Sequence, residues 1–320
     1  MYPGGSTAAV DTARTSERLS AFMSRIESTI PADNIFVDLP TFDRMWARKK
    51  VIDGGRQTMI ALDTAQNTSI QSFSSYDTFD TSAQDTARTA VFPYINYGGT
   101  VVISWEEMRE TANSDVRVFD LVEHKRRNAL SSMRDTINAD IYAASLSAGK
   151  INNIPTMVTI DRSLGGIDST TSTYWDAQET LSVGAFSSTG MGAMRTLWNN
   201  IERQGQGSPD ITITTQTVFE AYENELDADV RYANPNELAR GAMNLLFKGK
   251  PVIFDADVAT GELYMLNMDH LYLGVDQDGM MKFDEFVKPA NQKAFTATFA
   301  FRGQLVTDNP RTQGRLAGIT

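Results

Sequence analysis

Gln57-Thr58-Met59-Ile60-Ala61-Leu62 and, further on, Ala90-Val91-Phe92-Pro93-Tyr94 are the two segments on which the fold turns. Both read as strands, and between them the stretch from Asn67 to Thr86 is crowded with Ser, Thr, Asp, Gln and Asn. No lysine occurs between Gly55 and Thr100. Such an interval cannot bury a core of its own, so the pair reads as a long two-stranded arm with a polar tip. An isolated hairpin is at best marginally stable in water. The arm therefore needs a surface to lie on, and the long helical pattern that begins soon afterwards points to a subunit that embraces its neighbours.

Outward from the arm, composition sets the limits. A chain of 320 residues can form one large domain or two, at roughly 100–200 residues each. Its 41% hydrophobic content supports a real core. A net charge of −11 argues against a dedicated nucleic-acid surface, because phosphate binding rests on clustered Lys and Arg. The local basic clusters Arg44, Arg48, Lys49, Lys50 and Lys125, Arg126, Arg127 read as solvated helix faces. There is no cysteine, so neither disulfides nor thiolate metal sites contribute. The N-terminal sequence has no charged segment followed by an apolar one, and no run of about 18 apolar residues occurs. A soluble intracellular product without membrane contact is expected. The glycosylation pattern Asn67-Thr68-Ser69 then has no bearing.

Leu19, Phe22, Met23, Ile26 and Ile30 have helical spacing on an N-terminal arm, ended by Pro31. A second helix is expected around Pro40 to Lys50, leading into the turn Asp53-Gly54-Gly55. Beyond the two-stranded arm, Gly99 to Ile103 reads as a strand, and Ser104 with Glu107 forms a capping box. From about Asp115 to Ser147, Phe119, Val122, Leu130, Met133, Ile137, Ile141 and Ala144 hold one helical face, with Gly149 as the residue that ends it. At about 1.5 Å per residue this spine would be some 45 Å long.

The second half alternates shorter elements. A helix from Gly190 to Arg203 turns Met194, Leu197, Trp198 and Ile201 inward, a strand follows at Asp210 to Thr214, and Thr217 with Glu220 opens another helix. Strands are expected at Pro251 to Phe254, Leu263 to Leu266 and Leu271 to Leu273. Phe295 to Phe301 alternates with strand period and is expected to return to the spine.

Chemistry is sparse. Asp276, Asp278, Gly279 and Glu285 imitate part of a calcium loop, but Gly274 and Lys282 occupy ligand positions, and Asp278-Gly279 reads as a hairpin turn. Of the two histidines, His124 reads as solvated or at an interface, and His270 as a hydrogen-bonded structural residue. No nucleophile elbow, phosphate loop or complete dinucleotide fingerprint is present. No catalytic residue, cofactor or metal is expected. Phe92, Tyr94 and Tyr97 lack positive charge around them for base stacking, which favours packing against a neighbouring subunit.

Phe247-Lys248-Gly249-Lys250-Pro251-Val252-Ile253-Phe254-Asp255 followed by Gly261-Glu262-Leu263-Tyr264-Met265-Leu266-Asn267 resembles the major capsid proteins of tailed bacteriophages with the Hong Kong 97-like fold. The order of elements resembles that family from end to end. The resemblance implies an α+β fold with an N-terminal arm (1–49), an extended E-loop (50–103) lying across an adjacent subunit, a peripheral domain (104–150 and 286–320) with the spine helix, and an axial domain (151–285). Gly54 and Gly55 would mark the base of the E-loop, and Asn234-Pro235 is a candidate for the capsomer axis. The implied partners are further copies of the chain, a separate scaffolding protein, a portal, a cement protein and packaged DNA, in a virion assembled in the bacterial cytoplasm. Some members weld their shells through an E-loop lysine. No lysine lies between Lys50 and Lys125, so a non-covalent shell is expected, with an arm tip disordered in an isolated subunit. An encapsulin-type compartment and an acidic α/β hydrolase are the alternative readings.

Overall fold

The computed structural model describes residues 39–111, 115–204, 207–226 and 245–320. The expected N-terminal helix and the Asn234-Pro235 turn lie outside the described residues. The strands are β1 (Lys50–Ile52), β2 (Gln57–Asp63), β3 (Ala87–Pro93), β4 (Ile95–Ser104), β5 (Ser163–Leu164), β6 (Ile167–Asp168), β7 (Gln178–Thr180), β8 (Ile211–Thr214), β9 (Leu245–Phe247), β10 (Lys250–Phe254), β11 (Leu263–Leu266), β12 (Leu271–Phe283), β13 (Ala294–Thr307) and β14 (Gly314–Leu316). The helices are α1 (Pro40–Ala47), α2 (Trp105–Thr111), α3 (Asp115–Ile141), α4 (Ile154–Met157), α5 (Met191–Gln204) and α6 (Gln216–Glu225).

Two sheets organise the body. One has the order β1-β12-β13-β4 and the other β7-β14-β11-β8-β10-β9, while β2-β3 and β5-β6 stand apart as separate pairs. The six-stranded sheet is covered on both faces. Alternation along its central strands sends Ile211, Ile213, Tyr264 and Leu266 into a core shared with α1 and α3, and Leu263 and Met265 into a second core with α5 and α6. The expected inward face of α5, Met194, Leu197, Trp198 and Ile201, is buried in that second core. β13 lies between β12 and β4, and its Phe295 and Phe299 join the core that holds Ile137 and Ile141 of α3. Sequence order and sheet membership cross over: β12, within 151–285, pairs with β13, whereas β14, within 286–320, pairs with β11 and β7.

Several expectations change. The spine helix stops at Ile141, so it is about 40 Å long at 1.5 Å per residue, and Gly149 (φ 81°) serves a later turn. The helix ends there because the Ala143 N–H bonds back to the Asp140 carbonyl three residues earlier, and the Asn153 side chain takes the Ala143 carbonyl. Asp278-Gly279 is no hairpin turn. β12 runs through it, with a register shift between the pairs Val275↔Gly303 and Met280↔Phe301. Glycine is required at 279 because a Cβ there would come within 2.5 Å of Arg302 Cβ and 2.7 Å of its backbone nitrogen. α6 starts at Gln216, its first turn closed by the Phe219 N–H on the Thr215 carbonyl, so Thr217 lies inside the helix instead of capping it. The Ser104–Glu107 box forms as expected: the Ser104 N–H reaches Glu107 Oε2 at 2.9 Å and the Glu107 N–H reaches Ser104 Oγ at 3.2 Å.

Candidate assembly surface

The arm is an antiparallel pair in register from Gln57↔Pro93 to Asp63↔Ala87. Thr64 continues it by donating its N–H to the Thr86 carbonyl at 2.7 Å. At its base the chain turns at Gly54 (φ 67°) and Gly55 (φ 96°), a conformation that L side chains rarely adopt. Arg302 of β13 holds this base in three directions. Its guanidinium donates to Asp276 Oδ2 at 2.9 Å and to the Gly55 carbonyl, and lies 5.5 Å from the centre of the Tyr94 ring. Tyr94 Oη meets Thr58 Oγ1 at 2.8 Å across the hairpin.

The rest of the stem is fastened to the body. Buried Gln304 donates to the Pro93 carbonyl at 3.0 Å while its Oε1 accepts the Asn152 N–H at 2.7 Å. The Val91 N–H donates to the Gly165 carbonyl at 2.9 Å. Gly165 (φ 60°) allows this approach, since a Cβ there would come within 3.1 Å of the Phe92 ring. Phe92 itself is 1% exposed. The expectation that it packs on a neighbour therefore gives way to burial in its own chain. Tyr97 is likewise engaged internally. Its hydroxyl donates to Asp140 Oδ2 at 2.8 Å and accepts the Ile151 N–H at 3.0 Å, and its ring lies 6.1 Å from Phe301. Burial pushes this phenol far above its ordinary range, against a smaller opposite pull from the Ile151 amide.

Beyond Thr64 the chain forms no strand or helix until Ala87. Local bonds shape it: Thr68 Oγ1 to Gln84 Oε1 at 2.9 Å, Gln71 Nε2 to the Thr78 carbonyl at 3.0 Å, and the Ser74 N–H to Asp77 Oδ2 at 2.7 Å. The tip is not purely polar. Ile70, Phe73, Tyr76 and Phe79 are 83%, 67%, 98% and 58% exposed. Their regular spacing of three residues was the available sequence signal, hidden by the polar average around it.

No family model matches the sequence, and no curated protein matches it. Solved structures do. The chain aligns over 93% of its length with 98% of a chain in the cyanophage A-1(L) capsid asymmetric unit, at TM-score 0.69 and 16% identity. It aligns over 90% with 99% of a chain in the capsid of an empty GTA particle, at 0.59 and 11%, and over 93% with 96% of a chain from Mycobacterium phage Bobi, at 0.58 and 13%. The chain has the phage capsid fold. This is the mixed helix-and-sheet architecture expected from the sequence, matched over nearly the whole chain.

The enzyme-like fragments are tied into the strands around them. His270 Nδ1 lies 2.7 Å from Asp308 Oδ1, and the Asp308 N–H donates to the His270 carbonyl, so the pair ties the start of β12 to the end of β13. It borders a polar cavity of about 370 Å³ that also touches Asp63, Tyr174 and Arg311. Asp276 of the calcium-like stretch is held by Arg302. Among the described residues no group of three His, Cys, Asp or Glu could hold a metal, and no helix is long and apolar enough to cross a membrane.

Proposed function

We propose that this chain is a major capsid protein that self-assembles through hexamers and pentamers into an icosahedral shell around phage double-stranded DNA. The observation that carries the reading is the likeness over 93% of this chain and 98% of a chain in a cyanophage capsid. The arm supports it, because a stem fastened at Arg302, Gln304 and Gly165 carries Ile70, Phe73, Tyr76 and Phe79, all largely exposed. Exposed apolar surface of this kind marks association. The role is structural, with the His270–Asp308 pair serving to join strands. The net charge of −11 suits a container that lines DNA without gripping it.

Within this reading the arm is the E-loop that crosses a neighbour, Gly54 and Gly55 set its departure, and Tyr94 fixes its base. The six-stranded sheet forms the axial domain and the four-stranded sheet with α3 the peripheral one, so β12 and β14 exchange the domains that sequence order assigns them. With no cysteine, and no lysine from Val51 to His124, the shell is held by non-covalent burial. Scaffolding, portal and cement proteins are its expected partners, and the virion, assembled in the host bacterial cytoplasm, its location. Size-exclusion chromatography with negative-stain microscopy tests the reading: capsomers or closed shells are expected, and persistent monomers under all assembly conditions would refute it.

A further inference from the structure

Asn138, Asp255 and Thr215 are 0%, 2% and 8% exposed, and among the described residues Asn138 Oδ1, Asp255 Oδ2 and Thr215 Oγ1 have no hydrogen-bond partner. The topology brings the three together. β8 and β10 run parallel with Thr214 opposite Phe254, so Thr215 and Asp255 leave the sheet side by side. Alternation turns both to the side of Ile213 and Ile253, which belong to the core shared with α3. From α3, Asn138 Nδ2 donates to Asp255 Oδ1 at 3.2 Å and to Asp257 Oδ2 at 2.7 Å. Asp255 Oδ1 also accepts the Asp257 N–H at 3.2 Å, while Asp257 itself stands at the exposed rim. Buried charges are normally paired or bound to a metal, because stripping water from them is costly. The aspartates that meet a basic side chain are Asp43, Asp140, Asp210, Asp269, Asp276 and Asp308; among the described residues Asp255 and Asp257 meet none.

The chemistry of this set is that of a hard cation. A half-turn of the Asn138 amide exchanges its nitrogen and oxygen, and the oxygen loses nothing by turning inward because it has no partner where it now points. It would then stand where Nδ2 does, 3.2 Å and 2.7 Å from the two carboxylates. Neighbouring ligands of an octahedral ion with bonds of about 2.0–2.1 Å are about 3 Å apart, which is the geometry of Mg²⁺. Asp255, Asp257, Asn138 and Thr215 together supply oxygen alone, with two negative charges and no imidazole or thiolate to favour a softer metal. Mg²⁺ usually keeps several waters beside one or two carboxylates, so the set need not be larger. The amide and hydroxyl ligands also distinguish it from a cluster of three acidic or histidine side chains. Exposed Asp257 provides the way in.

We propose that Asp255, Asp257, Asn138 and Thr215 bind one Mg²⁺ between α3 and the ends of β8 and β10, so that a divalent cation fastens the long helix to the six-stranded sheet. The site does not depend on the shell reading. Mn²⁺, which shares the oxygen preference of Mg²⁺, is the probe. DNA-free full-length protein, stripped with EDTA and titrated with Mn²⁺, should remove one ion per chain from the free-ion electron paramagnetic resonance signal, and added Mg²⁺ should release it. Asp257→Asn and Thr215→Val should each weaken this binding at least about tenfold, since even residues that only orient ligands contribute about 10–100-fold. Glu106→Gln, an exposed carboxylate elsewhere, should leave it unchanged. Added Mg²⁺ should raise the melting midpoint of the wild-type protein, because a ligand held only by the folded chain stabilises it, and should not raise that of Asp257→Asn. Asp257 lies at the surface and Val matches Thr in shape, so the two variants give independent readings of the site. Mn²⁺ binding that both variants leave intact, no bound Mn²⁺ in the wild type, or a midpoint that Mg²⁺ moves equally in wild type and Asp257→Asn would overturn the proposal.

Discussion

Arg302→Met should loosen the arm and weaken the whole subunit by about 2 kcal/mol. The magnitude comes from what the guanidinium holds. The Asp276 side chain is 8% exposed and Arg302 36%. Breaking a fully buried pair costs about 3–5 kcal/mol, since the surviving charge keeps its desolvation penalty. Here the arginine side reaches solvent, so water screens part of the loss, and the value for a hydrogen bond to a charged group, about 1.5–3 kcal/mol, is the better guide. The contact with the Tyr94 ring adds about 0.5–1 kcal/mol, and methionine keeps some packing in compensation. Urea unfolding of the unassembled subunit measures the total, and a double-mutant cycle with Asp276→Asn should give a coupling of about 1–2 kcal/mol. Hydrogen exchange locates the effect: amides of β2 and β3 should exchange faster, those of β8 and β11 no more than global stability dictates. A loss under about 0.5 kcal/mol, or one that leaves arm exchange unchanged, would show that Arg302 does not hold the base.

Gly303→Ala should cost more than about 1–3 kcal/mol in the same urea assay, because the new Cβ would sit 2.6 Å from the Gly274 carbonyl oxygen, a backbone atom that cannot turn aside. Gly192→Ala, in α5 with nothing within 4 Å of the added carbon, should instead stabilise by up to about 1 kcal/mol. Ser104→Ala removes the cap on α2 and should cost about 1 kcal/mol by thermal melting. The pH dependence should be steepest on the alkaline side. Burial raises the phenols of Tyr97, Tyr142, Tyr264 and Tyr272, and that of Tyr222 to about 12, above the ordinary 10.0. The folded state thus keeps protons that the unfolded chain releases above pH 10, so their stabilisation is full below that value and is lost as pH rises beyond it. Melts from neutral pH upward should show a steep fall there, with tyrosinate absorbance appearing together with unfolding; a flat profile through this range would count against the buried-phenol account.

Legibility followed the range of each interaction. The Ser104–Glu107 box and the Met194, Leu197, Trp198, Ile201 face are set by neighbours three or four residues apart, and both are found where the spacing puts them. The arm strands are legible for a similar reason: each is short, apolar and bounded by polar residues. Asp278-Gly279 misled because its two-residue signal is local, while the outcome is set across the sheet by Arg302, against which only glycine can lie. Arg302 itself was invisible, since its partner Gly55 is 247 residues away. Charge alone points Phe92 outward, and nothing nearby in sequence announces that Gly165 opens a seat for it.

If the arm crosses a neighbour as proposed, its fastened stem bears directly on how well it can do so. Association loses free energy to every loop and side chain that must be ordered on contact. In this subunit Arg302, Gln304 and the Val91–Gly165 bond hold the stem of the arm to the body. Less of the arm then has to be ordered at association. Loosening the stem should therefore weaken assembly even when every tip residue is intact, so Arg302→Met should raise the concentration needed for particles. That loss should come with faster hydrogen exchange of β2 and β3 in the unassembled subunit, and Arg302→Met that assembles at the wild-type concentration despite such exchange would refute the link.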